Sequence, residues 1–221
     1  MYLCQVLCTW SVGFAAQISI FNTPGIIHRK KKLLKMEELK KILEQEISGI
    51  PEDELAHFVS LWKTEKALRR NETLSTTNTI DTKIYFIING ALKICAALCD
   101  KEVIYGFGFT NRFIFDFYSF FSDKSSPIQI KAIRKTNVIS ITKKDFLRSV
   151  KANIHLSEFW QQKQAQIILY FIERETLSSQ SSAKDKYELF KNGNSEFLQQ
   201  IPRKDIATYL RISPETLSRI K

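Results

Sequence analysis

The chain carries none of the short signatures that announce an active site. There is no G-x-S-x-G elbow to present a serine nucleophile, no H-E-x-x-H pair to hold zinc and no G-x-x-x-x-G-K-[ST] loop to cradle phosphates. Histidine is scarce, and the three present, His28, His57 and His155, lie far apart. The four cysteines fall as Cys4/Cys8 and Cys95/Cys99, a doubled C-x3-C that is not a zinc-finger spacing and has no histidine to complete it. They read as reduced thiols. No catalytic residue, metal or cofactor is expected, and an enzyme is not the reading this sequence supports.

A long unbroken apolar run is missing as well. Residues 2–27 are fairly apolar, but Gln5, Thr9, Ser11, Gln17, Ser19, Asn22 and Pro24 dilute them and no basic stretch precedes them, which argues against a signal peptide. The basic residues 28–32 would suit a weakly inserting anchor under the positive-inside rule. Against that stands the abrupt onset of a charged, amphipathic pattern at Met36, favoured here as the true start. Residues 1–35 are thus an uncertain extension; a membrane partner is not expected, and the cytoplasm is the expected location.

What is present is a chain of 221 residues with 44% hydrophobic and 12% aromatic content, enough to bury a large core and a small one. Its net charge of +10 attracts polyanions, nucleic acid first among them. From Met36, the spacing of Leu39, Ile42, Leu43 and Ile47 predicts a helix that Gly49 would cap, and Pro51-Glu52-Asp53 opens a second, with Leu55, Phe58, Val59 and Trp62 as its stripe. After Arg70 the pattern shortens into β-strands. Asn89-Gly90, between the apolar runs 84–88 and 91–95, predicts a hairpin with a type I′ turn, and further strands are expected at 102–107, 128–133 and 138–141. That crowding of strands with no helix between them predicts an α+β protein built on an antiparallel β-roll or barrel. The aromatic cluster 113–122 reads as core packing.

A helical tract is expected over 144–178. Leu156, Trp160, Ile167 and Phe171 form a near-heptad stripe flanked by Phe159, Ile168 and Ile172, wide enough to face both its own domain and a partner helix, so a homodimer through 151–178 is expected. Residues 178–182 read as a polar hinge. Beyond them, Ile206, Ala207, Leu210, Ile212, Leu217 and Ile220 have the spacing of two short helices crossing at a tight turn. Ser213 caps the second, Pro214 takes its first position, and Glu215, Thr216, Ser218 and Arg219 are left facing outward, where a major groove would meet them. Short polar side chains suit phosphates, and the Arg219 guanidinium suits a guanine edge.

The segment Ile206-Ala207-x-Tyr209-Leu210-x-Ile212-Ser213-Pro214-Glu215-Thr216-Leu217-Ser218-Arg219-Ile220 closely resembles the helix-turn-helix of the Crp/Fnr family of bacterial transcription regulators. The resemblance implies a cyclic-nucleotide-binding-like β-roll of jelly-roll type over 36–150, a dimerisation helix and hinge over 151–180 and a DNA-binding domain over 181–221. It implies a homodimer on a palindromic operator in double-stranded DNA, with RNA polymerase as a further partner. Glu215 and Arg219 match the family's base-reading residues, and the expected DNA-binding set is Arg203, Lys204, Ser213, Pro214, Glu215, Thr216, Ser218 and Arg219. Pro214 stands where many members carry another arginine, Arg211 takes the turn's usual glycine, and the sequence stops at Lys221, so the usual wing is either absent or lies beyond it. Setting Phe115-Asp116 against the family's phosphate-binding Gly-Glu brings Ser126-Pro127 opposite its Arg-Ser. Without that arginine a buried phosphate lacks its main partner, so cyclic AMP is not an expected ligand. Phe115, Asp116, Ser125 and Ser126 mark the pocket for an unknown small-molecule effector, and Arg112 and Lys124 could serve another anion. The alternative is an effector-sensing or membrane-associated adaptor whose helix-turn-helix does not read DNA.

Overall fold

The computed structural model describes residues 24–98, 101–180 and 182–220; residues 1–23 with Cys4 and Cys8, and also Cys99, Ser181 and Lys221, lie outside the described residues. Two four-stranded antiparallel sheets form the centre. In one, β1 (Thr64–Leu68), β8 (Thr136–Ile141), β3 (Ile84–Asn89) and β6 (Phe113–Phe115) lie side by side in that order. In the other the order is β2 (Thr73–Ser75), β7 (Gln129–Ala132), β4 (Ala91–Leu98) and β5 (Lys101–Phe109).

Burial explains why β3 reads as a continuous apolar run rather than an alternating one. Tyr85 and Ile87 point between the sheets with Leu68, Leu92, Ile114, Ile130 and Val138. Ile84, Phe86 and Ile88 point the other way, into a second core with α1 (Pro24–Glu46) and α2 (Glu52–Ser60), which supply Leu39, Leu43 and Phe58, joined by Trp62 just after α2. A strand covered on both faces has no polar side to show. The two predicted N-terminal helices therefore back one sheet of the roll, and the acidic first turn of α2 (Glu52, Asp53, Glu54) complements its dipole. Among the described residues, no helix is long and apolar enough to cross a membrane.

Three expectations are corrected. The β region starts at Thr64, before Arg70, because β1 is an edge strand held along its length to β8, from Thr64↔Ser140 to Leu68↔Thr136, and backbone pairing leaves a faint side-chain pattern. Asn89-Gly90 is not a hairpin turn. β3 pairs with β6 and β8, whereas β4 pairs with β5 and β7, so the dipeptide carries the chain from one sheet to the other. Only Gly90 has a positive φ, +107°, where a type I′ turn needs two. Finally, the helical tract is broken. α4 (Lys143–Ala152) ends at Asn153, whose extended backbone (φ −135°, ψ 125°) interrupts it and whose Oδ1 accepts the Leu156 N–H at 3.0 Å to start α5 (Ile154–Gln180).

At 27 residues, α5 runs straight through the first part of the predicted hinge. Ser182 then opens α6 (Ala183–Gly193) with a reciprocal capping box to Asp185. The aromatic cluster forms β6 and the short α3 (Phe117–Ser122), with Phe120 packed on Phe146 and Trp160. Core packing accounts for most of it, although Phe121 stays half exposed.

Candidate nucleic-acid interface

Two short helices end the chain. α7 (Arg203–Leu210) starts after Pro202, and α8 (Pro214–Arg219) starts after Ser213, whose hydroxyl accepts the Thr216 N–H at 3.0 Å. Between them Arg211 is left-handed (φ 56°, ψ 41°), in the position where a glycine is free and another residue is strained by roughly 1 kcal/mol. The Ile212 N–H reaches back to Ala207 O at 3.1 Å, and the Arg211 guanidinium grips the Glu175 carboxylate of α5 with both Nη atoms, at 3.3 and 3.0 Å. That bidentate contact helps to hold the strained corner. Ile206, Ala207, Leu210 and Leu217 close the inside of the pair.

The residues expected to face a partner separate into two groups. Glu215, Ser218 and Arg219 are exposed on α8, Lys204 is exposed at the start of α7, and neither the Arg219 nor the Lys204 side chain has a partner among the described residues. The Glu215 carboxyl is held below its usual range by its own backbone N–H and by the Ser213 hydroxyl. Arg203, in contrast, donates to Leu217 O at 3.0 Å and so ties the two helices together. The Ser213 and Thr216 hydroxyls face each other at 3.0 Å, which occupies them locally, and Pro214 serves as the first residue of its helix.

Sequence reasoning missed how firmly this pair is docked. Ile201, Ile206, Ala207 and Leu210 share a core with Ala91, Phe109 and Ile133 of the roll, and the Phe197 ring stacks on Phe109 at 4.4 Å. Lys93 of β4 reaches the Asp205 carboxylate of α7 at 3.0 Å and Glu102 at 2.7 Å. The Tyr209 and Tyr170 hydroxyls meet at 2.8 Å, Tyr170 also reaches Tyr105 O, and Arg174 lies over the Tyr209 ring. Burial pushes the Tyr170 hydroxyl well above its ordinary range, so it stays a neutral link between α5, the roll and α7.

Of the residues expected around an effector, Phe115 and Arg112 line a cleft, whereas Asp116, Ser125 and Ser126 do not. Asp116 and Ser126 are completely buried, Ser125 is exposed, and Phe115 packs on Phe120, Phe121 and Trp160. Asp116 caps α3 through the Ser119 N–H at 3.1 Å, and the Ser126 hydroxyl accepts the Ile128 N–H. The pair organises its own loop instead of lining a site. The cleft, of about 530 Å³, opens between β5, β6 and the helices α5 to α7, lined among others by Arg112, Phe107, Phe171, Arg174 and Tyr209. Lys124 is exposed and outside that cleft. Cys95 is buried, and burial pushes its thiol up to about 12, which leaves it inert at neutral pH.

Asp116 is also a test of this loop. Burial raises its pKa, with the Ser119 N–H and the nearby hydroxyls pulling the other way, and Oδ2 has no partner of good hydrogen-bond geometry. A carboxyl whose pKa is raised on folding makes the protein gain stability as pH falls through the folded value. Asp116→Asn keeps a capping oxygen, so it is expected to melt higher than wild type at pH 7 and to lose that acid-side gain. Thermal melts across pH check this, and a variant less stable than wild type at pH 7 would contradict it.

With this geometry described, comparison with known proteins places the fold. Residues 65–153 match the cyclic nucleotide-binding domain family. That segment is similar to cyclic nucleotide-binding domains. No curated protein matches the sequence. Among solved structures, FixK2 from Bradyrhizobium japonicum is similar with a TM-score of 0.63 and 19% identity, over 71% of this chain and 81% of that one. The c-di-GMP-responsive global regulator CLP from Xanthomonas campestris gives 0.61 and 12%, over 77% and 89%. A CooA mutant from Carboxydothermus hydrogenoformans gives 0.57 and 14%, over 71% and 73%. These likenesses extend past the matched domain and support one shared fold.

Proposed function

We propose that the protein is a sequence-specific, DNA-binding transcription regulator of the Crp/Fnr type, acting as a homodimer on a palindromic operator. The observation that carries this reading is α8, a capped helix that buries Leu217 and turns Glu215, Ser218 and an unpartnered Arg219 to solvent on a chain of net charge +10. Residues 36–150 are the sensor domain, 151–180 the dimerisation helix and hinge, and 181–221 the DNA-binding domain. RNA polymerase is a further partner by resemblance. Arg219 and Glu215 read bases, Ser218 and Lys204 contact phosphates, and Arg203, Ser213, Pro214 and Thr216 act mainly by shaping the pair.

The dimer face is the outer side of α5. Leu156, Phe159 and Trp160 are spent on the monomer core, and Ile167 and Phe171 line the cleft. Ile168, Leu169 and Ile172 are left 60%, 53% and 57% exposed. Apolar residues this exposed along one helix suit a two-fold contact with a second α5. Ile168→Lys with Ile172→Lys is expected to convert the protein to monomer in sedimentation analysis; an unchanged dimer would place the interface elsewhere. An effector, where one acts, binds the cleft beneath Tyr209. Cyclic AMP is not that effector, because Ser126, where the family's arginine would stand, is buried in its own loop.

Selection of bound duplexes from a random pool at a stated, near-physiological salt tests the function directly. A two-fold palindrome with half-sites about one helical turn apart is the expected product. Arg219→Ala is then expected to weaken the operator complex by roughly 1–3 kcal/mol and to relax preference at one base pair. Equal losses on operator and random DNA would remove its base-reading role.

A further inference from the structure

Two turns of the roll lie side by side. The Asn71 N–H donates to Ala132 O and the Ala132 N–H to Glu72 O, both at 2.8 Å, while Leu68 pairs with Thr136 across the sheet. Residues 69–72 and 133–136 thereby bring together Arg69, Arg70, Arg134 and Lys135 against one acid, Glu72. All four cations are exposed, and none forms an ion pair with a described residue. Glu72 is itself occupied, accepting the Arg69 backbone N–H at 2.9 Å. The next cation along, Lys131, belongs to another neighbourhood, since it acts on Glu102 and Cys95.

The position of this cluster matters as much as its sign. Ile133, which immediately precedes Arg134, gives its N–H to Ala91 O at 2.9 Å and packs in the same core as Ile201, just before α7, and Leu217 of α8. The basic turns therefore border the helix pair, and the Lys93–Asp205 contact fixes the roll against it. A duplex lying on α8 presents a negative charge about every 1.7 Å of its axis, so a flank reaching these turns offers several phosphates at once.

We propose that Arg69, Arg70, Arg134 and Lys135 form a second contact with the same DNA, gripping phosphates that flank the segment read by α8. This rests on the DNA-binding reading above and extends the interface from the helix pair to the sensor domain. Long side chains on two turns, with no partner to fix their geometry, suit sequence-independent contact with the backbone. The grip adds affinity and salt sensitivity and leaves the operator sequence unchanged.

The test uses the full-length protein, with folding checked by circular dichroism. Binding is measured against salt on the selected operator, trimmed to the palindrome or extended by about 10 base pairs on each side, and on a long random-sequence duplex. Arg134→Glu with Lys135→Glu, and separately Arg69→Ser with Arg70→Ser, should each weaken binding to the extended and random duplexes at least tenfold. Each should flatten the slope of log affinity against log salt by about 0.9 for every phosphate that is no longer gripped. Binding to the trimmed palindrome should change far less. Unchanged affinity and slope on the extended duplex would overturn the proposal, and with a loss of transcriptional output would assign the cluster to an acidic protein surface. Arg219→Ala separates the two readings: no effect on operator binding would remove the reading of DNA by α8, whereas the flank contact fails only if the turn variants bind long DNA like wild type.

Discussion

Gly90→Ala is expected to destabilise the protein by roughly 2–6 kcal/mol, lowering its melting temperature on the order of 10 °C. The residue sits at φ +107°, outside even the left-handed region that asparagine tolerates. A Cβ there would stand 2.3 Å from Thr136 Oγ1, 2.6 Å from Lys135 O and 2.7 Å from Thr136 Cα. Two of those three atoms are backbone. The third belongs to a hydroxyl already engaged with Ala91 and with Arg134 O, so it has no free rotation in which to yield. Because this crossing joins the two sheets, the strain falls on the register of β4 and β8 together. Gly193→Ala is the internal control, since nothing lies within 4 Å of its added Cβ and its φ is not positive; it should be neutral or slightly stabilising. Equal melting temperatures for the two variants would contradict the close approach at Gly90.

The same glycine shows what the sequence could and could not convey. Asn-Gly between two apolar runs correctly marks a place where the chain reverses its environment, but a local pattern does not say which strand becomes the neighbour. That is decided by pairs such as Phe86↔Ile139 and Ile94↔Ile130, far apart along the chain. The second N-terminal helix and the α7–α8 corner were legible because helix stripes, caps and turns are local properties, and the resemblance marked Arg211 as the turn's left-handed position; the first helix was expected from Met36, whereas α1 already begins at Pro24. The pocket was not. Asp116 and Ser126 matched a binding motif by position, yet the carboxylate caps its own helix, the serine oxygen accepts a bond within its own loop, and both side chains are buried. Likewise the stripe of Leu156, Trp160, Ile167 and Phe171 was visible as apolar, but which part of it is buried depends on contacts far away in sequence. Leu156 and Trp160 pack in the core, Ile167 and Phe171 line the cleft, and Ile168, Leu169 and Ile172 stay outside.

Lys93→Met is expected to cost about 3 kcal/mol, at the lower end of the roughly 3–5 kcal/mol seen when one member of a buried ion pair is removed. The Lys93 side chain is 11% exposed, and its ammonium bridges Glu102 at 2.7 Å and Asp205 at 3.0 Å; their side chains are 34% and 12% exposed, respectively. Without it, Asp205 becomes a buried carboxylate with a second acid nearby, while partial hydration of Glu102 keeps the cost from being larger. Lys93→Met with Asp205→Leu should recover to within about 1 kcal/mol of wild type, because an apolar pair of similar volume removes the desolvation cost along with the attraction. The pH dependence follows from the same contact. Burial alone would lower the Lys93 pKa, but its bonds to Glu102 and Asp205 raise it above 10.5, so its contribution is complete below 10.5 and is lost as pH rises through the folded value. Burial would raise Glu102, yet Lys93 holds it below 4.5, so its contribution is present above 4.5 and is lost as pH falls through the folded value. Between those limits the bridge should be insensitive to pH, and being buried it should resist salt that screens surface pairs. Denaturant melts of the four proteins in the cycle measure the coupling. Since Lys93 lies on the roll and Asp205 on α7, the single variants should also loosen the helix pair from the sensor domain, seen as faster amide exchange in α7 while β3 and β8 stay protected. Unchanged exchange in α7 would mean that the apolar contacts of Phe109 and Ile133 hold the pair in place without the bridge.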